Sequence, residues 1–197
     1  MCPMNEEETY RNQIQEISQK QQNDQSTILT ADQISSIHAW IAQMGQHWLN
    51  HEKYQVSKQV LQFEYPSLDY GTNRNVYDLN NGTVLKVALS ELGYKSNETE
   101  AQIYRSCNED VKAHLCPIIE SGHGWIIMKK MSRPVPQSLS YVWKLVELQM
   151  KFLMKGIIPI DLTIDNAALS ENDDIVVVDY GLFISGLDSP HFKDLAQ

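Results

Sequence analysis

The spacing of apolar and polar residues divides the chain into a helical first part and a mixed second part. Residues 1–65 are rich in Gln, Glu and Asn, and their apolar residues recur at helical spacing. Turn signals and β-branched runs begin after Pro66. We therefore predict an N-terminal helical extension over residues 1–65 and a second domain over residues 66–197.

The best-marked helix of the extension begins at Thr30, because Thr30 and Gln33 form the pattern of a capping box. One side of this helix carries an apolar stripe of Ile34, Ile37, Ile41, Met44, Trp48 and Leu49. An earlier helical pattern consists of Tyr10, Ile14 and Ile17. The stripe is either a docking face for a partner or a face that packs on the same chain. We expect the second, with the apolar segment 139–155 as its neighbour, because both present more apolar surface than a monomer leaves exposed.

The second part begins with a strand, turn, strand pattern over residues 76–79 and 83–88. Lys86 lies between apolar residues of the second strand, where a lysine usually points into solvent. The segment before these strands, however, combines Gly71 with small polar residues, which suits a loop that folds over phosphates. A helix is predicted at about residues 96–107, and either Glu98 or Glu100 in its early turns could reach back to Lys86.

Residues 117–131 are typical of a second hairpin, with His123 in its turn as an exposed loop residue. Residues 139–155 are apolar on all sides, which indicates a central buried helix that Gly156 ends. The charged residues within it argue against a membrane span.

The candidate chemistry lies near the end of the chain. Asp161 and Asn166 stand in a D-x-x-x-x-N motif, and Asp179 of an Asp-Tyr-Gly triplet follows thirteen residues after Asn166, directly behind the apolar strand 175–178. Phosphoryl transfer requires a carboxylate beside the acceptor hydroxyl, together with an amide and a carboxylate that hold Mg²⁺ on the nucleotide phosphates. This spacing can supply all three groups.

In this order and spacing, the motifs over about residues 66–184 resemble the protein kinase-like fold in an unusually short form. The resemblance implies an α+β, two-lobed architecture. A small antiparallel β-sheet forms the upper lobe over about 66–131, and a truncated helical lower lobe covers about 132–197. The segment that begins at Gly71 also resembles small kinase-like proteins of bacteria and tailed phages.

The resemblance implies ATP and Mg²⁺ as cofactors. It makes Asp161 the catalytic base, Lys86 the residue that positions the phosphates, and Glu100 (or Glu98) the residue that orients Lys86. Asn166 and Asp179 become the metal ligands. The nucleotide contacts implied by the glycine-rich loop and by the hinge at 128–131 are Gly71, Thr72, Arg74, Val76, Lys86, Met128 and Lys130.

Some positions depart from the kinase pattern. The loop keeps one glycine of three and has Asp69 and Arg74 at the other two positions, of which the first repels phosphate and the second attracts it. Thr163 stands where kinases carry a lysine that contacts the γ-phosphate, so we expect slow transfer. Because 16 residues follow Gly181, we expect neither an activation segment nor peptide-holding helices.

Two functions therefore remain open. The first is an ATP- and Mg²⁺-dependent phosphotransferase that acts on a protein hydroxyl or another acceptor. The second is a catalytically weak or inactive pseudokinase that serves as a nucleotide-binding or inhibitory interaction module.

The amino-acid composition indicates which classes of partner the protein can bind. The chain has 25 acidic and 16 basic residues, and its net charge of −9 disfavours nucleic acid. Cys2, Cys107 and Cys116 lack paired metal-ligand spacing, which fits a reducing compartment. No apolar run approaches the roughly 20 residues of a membrane span. We expect a cytoplasmic protein that binds a nucleotide and a protein substrate or target, without a nucleic-acid or membrane partner.

Overall fold

A computed structural model describes residues 24–46 and 50–186 of the 197-residue chain. The helices are α1 (Ala31–Gln43), α2 (Asn50–Leu61), α3 (Glu91–Ser106), α4 (Glu109–Lys112) and α5 (Leu139–Met154), with a 3₁₀ turn at Met44–Gln46. The strands are β1 (Ser67–Tyr70), β2 (Arg74–Asp78), β3 (Thr83–Ala88), β4 (Ile118–Gly122), β5 (Trp125–Lys129), β6 (Ile157–Ile158), β7 (Ala167–Leu169), β8 (Ile175–Val177) and β9 (Ile184–Ser185). The predicted helical pattern at Tyr10, Ile14 and Ile17, and the stripe residues Trp48 and Leu49, lie outside the described residues.

The upper lobe is a five-stranded antiparallel sheet with the strand order β1-β2-β3-β5-β4. Lys86 lies on the central strand β3, opposite Val76 of β2 and Ile126 of β5. A side chain at this position is shielded by neighbours on both sides, which explains why Lys86 is only 6% exposed.

The lower lobe consists of α5 and two small two-stranded sheets, β6 with β9 and β7 with β8. Its core is continuous with residues of α3 and β5, and it includes the fully buried Phe152, Val177 and Tyr180. The small antiparallel upper sheet, the lower lobe built on α5, and the helices α1 and α2 that precede them give the α+β, two-lobed architecture that the sequence predicts.

The capping box at Thr30 is present, because the side chains of Thr30 and Gln33 each accept the other residue's backbone N–H. The expected neighbour of the helix it starts was wrong, since α1 packs on the upper sheet and not on α5. Ile37 and Trp40 join a core cluster with Leu85 and Trp125 of the sheet. The physical reason is that one face of this sheet is apolar and needs a cover.

The prediction that α5 is buried on all sides was also wrong. Leu145, Leu148 and Phe152 face the core. The opposite side exposes Leu139, Val142, Trp143, Val146, Met150, Leu153 and Met154. The helix therefore has one buried face and one exposed apolar face. In the part of the chain that the structure describes, no helix is long and apolar enough to cross a membrane.

Two further local predictions need correction. Helix α3 begins at Glu91, five residues before its predicted start, because the Ser90 side chain caps it by accepting the N–H of Gly93.

His123 is 7% exposed and is not a solvent-exposed turn residue. The carboxylate of Asp24 accepts the backbone N–H of His123 at 2.7 Å, so that the segment before α1 covers the turn.

Candidate active site

A cleft between the upper sheet and the lower lobe brings together the residues that the sequence singles out. One cavity of about 240 Å³ is lined by residues that include Gly71, Lys86 and Asp161. A neighbouring cavity of about 560 Å³ extends along β5 to Met128. The two cavities share Val76, Lys86, Asn166 and Asp179 in their walls. Together they reach the size range of small-molecule sites, about 300–1,000 Å³.

Lys86 and Glu100 form a buried ion pair at the back of this cleft. The Lys86 Nζ lies 3.2 Å from both carboxylate oxygens of Glu100, so Glu100 is the partner of Lys86. The same ammonium group donates to the backbone oxygen of Val178 at 2.8 Å. Because Val178 immediately precedes Asp179, this bond fixes the ammonium group beside the start of the Asp-Tyr-Gly triplet.

Glu100 belongs to a buried face of α3 that is lined with small and polar residues. Gly93, Ser96, Asn97 and Glu100 are all buried and recur at helical spacing, so they share one side of the helix. This spacing is visible in the sequence. The predicted helix start at residue 96 left Gly93 outside the helix, so the buried face was not recognised. Gly181 packs on this face, where an added Cβ would lie 2.5 Å from the Ser96 Cβ.

Arg74 is the second cation of the cleft, and it is paired with acidic groups from two directions. Its Nη1 donates to Glu100 Oε1 at 2.9 Å and to Asn97 Oδ1 at 3.3 Å. Its Nη2 donates to Asp179 Oδ1 at 2.5 Å. The sequence predicted Arg74 as a phosphate contact from the loop. Its bridge to the predicted metal ligand Asp179 depends on the approach of the two lobes, which local sequence does not encode.

Burial and neighbouring charges shift the pKa values of Asp179, Arg74 and Lys86. Burial opposes ionisation of Asp179, but Lys86 and Arg74 outweigh it and hold the pKa of this carboxyl well below its usual range. Burial also disfavours the charge of Arg74, yet Glu100 and Asp179 raise the pKa of the guanidinium above its usual range. The pKa of Lys86 is lowered, first by burial and then by repulsion from Arg74. Of the two basic residues, Arg74 is therefore the one whose charged form the surroundings favour.

Asp161 lies at the mouth of the cleft in a strained backbone conformation, with a positive φ of 61°. The Asn166 side chain secures it by donating to the Asp161 carbonyl oxygen at 2.8 Å and to Oδ2 at 3.0 Å. The exposed carboxylate is thus held by an amide from the same loop. An exposed carboxylate in the wall of a cavity is accessible to an incoming hydroxyl, as a general base has to be.

Asn166 and Asp179, the predicted metal ligands, line the same cavities. Their oxygen atoms suit Mg²⁺, which binds proteins through one or two carboxylates while keeping waters and substrate phosphates. The donor chemistry therefore fits. One Asp179 oxygen, however, already accepts a bond from Arg74.

The other predicted nucleotide contacts lie along the two cavities. Gly71, Thr72 and Val76 line the smaller one, and Met128 and Lys130 line the larger one. The Lys130 Nζ is 2.5 Å from Asp78 Oδ2, so its side chain also ties the segment after β5 to β2. Cys116, which the sequence did not mark, lines the larger cavity, and burial raises the pKa of its thiol to about 12.

The loop that contains Gly71 is held against the start of α3. Leu89 donates its N–H to the Asn73 oxygen at 2.7 Å, and the Ser90 hydroxyl donates to Asn73 Oδ1 at 2.8 Å. A Cβ on Gly93 would lie 1.9 Å from the Asn73 oxygen. Glycine is therefore required at position 93 for the loop to take this position.

Comparison with known proteins adds little to this geometry. No protein-family model matches the chain, and no curated protein matches its sequence. One solved structure to which the chain is similar is that of the bifunctional kinase–methyltransferase WbdD, with a TM-score of 0.43 and 13% sequence identity. The match covers 64% of this chain and 32% of that protein, so the chain spans about a third of its length. A likeness this distant does not transfer an activity.

Proposed function

We propose that this chain binds ATP in the cleft and transfers its γ-phosphoryl group to a hydroxyl acceptor. The observation that carries the proposal is the buried Lys86–Glu100 pair, which faces a cavity whose walls also contain Asp161, Asn166 and Asp179. An ammonium group fixed in this way is suited to hold the phosphates of a nucleotide. Oxygen-bearing side chains on the opposite wall are suited to the acceptor and to Mg²⁺.

In the proposed reaction, the acceptor hydroxyl gives its proton to the carboxylate of Asp161. Its oxygen forms a bond to the γ-phosphorus, while the bond from that phosphorus to the β–γ bridging oxygen breaks and ADP leaves. Lys86 holds the phosphates in line, and Glu100 keeps Lys86 in place. Mg²⁺ held by Asn166 and Asp179 would neutralise charge on the phosphates.

A second function is favoured by one specific contact, the ion pair between Arg74 and Asp179. Because Arg74 occupies an oxygen of the predicted metal ligand, the cleft could bind a nucleotide and yet transfer phosphate slowly or not at all. The protein would then act as a nucleotide-binding interaction module. Thr163, in place of a lysine near the γ-phosphate, points in the same direction.

The two functions separate in a transfer experiment with the full chain, γ-labelled ATP, Mg²⁺ and a cell lysate. The enzyme hypothesis predicts label on the chain itself or on a lysate component, and at least a hundredfold loss in Asp161→Asn, as is typical for removal of a general base. Asp174→Asn, an exposed aspartate on the β7–β8 turn, is the matched control and should retain transfer. Equal labelling by Asp161→Asn and the native chain contradicts the role of Asp161, and ATP binding without any labelling favours the interaction module.

A further inference from the structure

Arg74 lies in the wall of the smaller cavity, beside the loop that contains Gly71. Its guanidinium contacts Asp179 at 2.5 Å and Glu100 at 2.9 Å. The residue is 8% exposed and belongs to strand β2, so that the guanidinium is a fixed part of the wall of the cleft. A mobile surface arginine would not have these contacts.

The guanidinium of Arg74 retains donors for an anion. It carries five N–H groups, and the bonds to Asn97, Glu100 and Asp179 found among the described residues use three of them. Arg74 lines the smaller cavity next to Gly71 and Thr72 of the loop. A planar guanidinium matches the spacing of phosphate oxygens and binds them in pairs.

The ion pair between Arg74 and Asp179 also disfavours a divalent cation at this carboxylate. The basic groups of Arg74 and Lys86 face the acidic groups of Glu100 and Asp179, and Asp161 lines the same cavity. Glu100 is fully buried, whereas 44% of the Asp179 side chain is exposed. A divalent ion on Asp179 would lie beside a guanidinium that is bonded to the same carboxylate, and repulsion at that range is strong in a partly buried site. A phosphate chain would meet two cations there.

We propose that Arg74 is a built-in cation of the nucleotide site and that the cleft binds a nucleoside polyphosphate without a divalent ion. This inference rests on the proposed function, because it takes the cleft as the nucleotide site. Arg74 and Lys86 hold the phosphate oxygens in the metal-free complex. A divalent ion can use the Asp179 carboxylate fully only after Arg74 has left it.

The test is the affinity of the full chain for a fluorescent N-methylanthraniloyl derivative of ATP, measured by anisotropy in EDTA and in excess Mg²⁺. The native chain should bind with dissociation constants within threefold of each other in the two buffers. In Arg74→Gln, metal-free binding should weaken at least tenfold, about 1.4 kcal/mol. Binding in Mg²⁺ should weaken less, because Asp179 is then free for the metal. Arg105→Gln, an exposed arginine on α3, is the matched control and should behave like the native chain.

A second variant keeps the test independent of how well Arg74→Gln folds, and a second readout measures metal binding directly. Asp179→Asn releases the guanidinium without removing it, so metal-free binding should be at least as tight as in the native chain. Without nucleotide, Mn²⁺ followed by electron paramagnetic resonance should bind Arg74→Gln at least tenfold more tightly than it binds the native chain.

The possible failures are distinguishable. If the native chain binds the analogue in neither buffer, the proposed nucleotide site is wrong. If the native chain binds only with Mg²⁺, and Asp179→Asn shows the same requirement, the nucleotide site stands and the built-in cation is wrong. Equal Mn²⁺ affinity in the native chain and in folded Arg74→Gln also contradicts the inference.

Discussion

Arg74 and Asp179, which are 105 positions apart in the sequence, form an ion pair that ties the upper sheet to the lower lobe. Arg74 belongs to β2, and Asp179 follows β8. Removing Asp179 leaves the buried Arg74 paired with Glu100 alone of these two acids, and removing Arg74 takes away the ion pair of the partly exposed Asp179 carboxylate. Such a pair therefore affects both the stability of the fold and the charge that a ligand meets.

The Arg74–Asp179 pair predicts a specific acid sensitivity. Because the folded-state pKa of Asp179 is held below its usual value, the pair contributes stability above the unfolded-state pKa, about 3.9. That stability is lost as the pH falls further, through the lowered pKa. The melting temperature of the native chain should exceed that of Asp179→Asn by a constant amount from pH 8 to 5, and the difference should shrink below pH 4.

Thermal unfolding followed by circular dichroism from pH 8 to 2.5 measures this difference. Asp174→Asn serves as the control, and its melting temperature should stay close to that of the native chain above pH 5. A difference between the native chain and Asp179→Asn that does not change between pH 5 and 2.5 would contradict the assigned pairing.

A second prediction concerns Gly93, where a methyl group has no room. In Gly93→Ala the new Cβ would meet the Asn73 oxygen, a backbone atom of the loop that cannot turn away as a side chain does. We expect a loss of about 1–3 kcal/mol in the free energy of unfolding, the usual range for overpacking. Affinity for ATP should fall as well, because the loop next to Gly71 is displaced.

Urea unfolding and ATP titration measure the two effects of Gly93→Ala. Gly45→Ala is the matched control, because a Cβ at Gly45 would have no neighbour within 4 Å among the described residues. Gly45→Ala should be neutral or slightly stabilising. Equal stability and equal ATP affinity of the two variants would show that the contact between loop and helix is not as tight as described.

A third prediction tests the corrected packing of α1. Trp40 is fully buried against the sheet, and its indole N–H donates to the Ala88 oxygen at 2.7 Å. Trp40→Ala should lower the free energy of unfolding by about 3–5 kcal/mol, as is usual when a large core side chain is removed. Trp143→Ala removes the same side chain from the exposed face of α5, where Trp143 is 67% exposed. It should change stability by less than about 0.5 kcal/mol.

Chemical denaturation of both tryptophan variants tests whether α1 packs firmly on the upper sheet. If α1 were a loosely attached extension, Trp40→Ala and Trp143→Ala would have similar small effects. A large effect confined to Trp143→Ala would favour the packing between the stripe and α5 that the sequence suggested.

The parts of the fold that the sequence could predict are those encoded by local patterns. The capping box at Thr30, the strand around Lys86 and the spacing from Asp161 to Asp179 each depend on residues close in the chain. Periodicity shows that a helix has an apolar face, but it does not show what covers that face. For this reason the stripe that includes Ile37 was assigned to the wrong neighbour, and the exposed half of α5 was taken as buried.

Prediction from the sequence was limited in the same way for the charged residues of the cleft. The sequence marked Arg74 and Asp179 separately, one for phosphate and one for metal. Only the approach of the lobes turns them into an ion pair. The choice between Glu98 and Glu100 likewise needed the orientation of α3, in which Glu100 shares its buried face with Asn97.

The central claim is that the cleft binds ATP with Lys86 at its phosphates, and calorimetric titration of ATP into the full chain tests it most directly. The account predicts one saturable site in the native chain and an affinity at least tenfold weaker in Lys86→Met. Lys95→Met, an exposed lysine on α3 paired only at the surface with Glu91, should bind like the native chain. No saturable binding to the native chain, or equal affinity in Lys86→Met, would contradict the account.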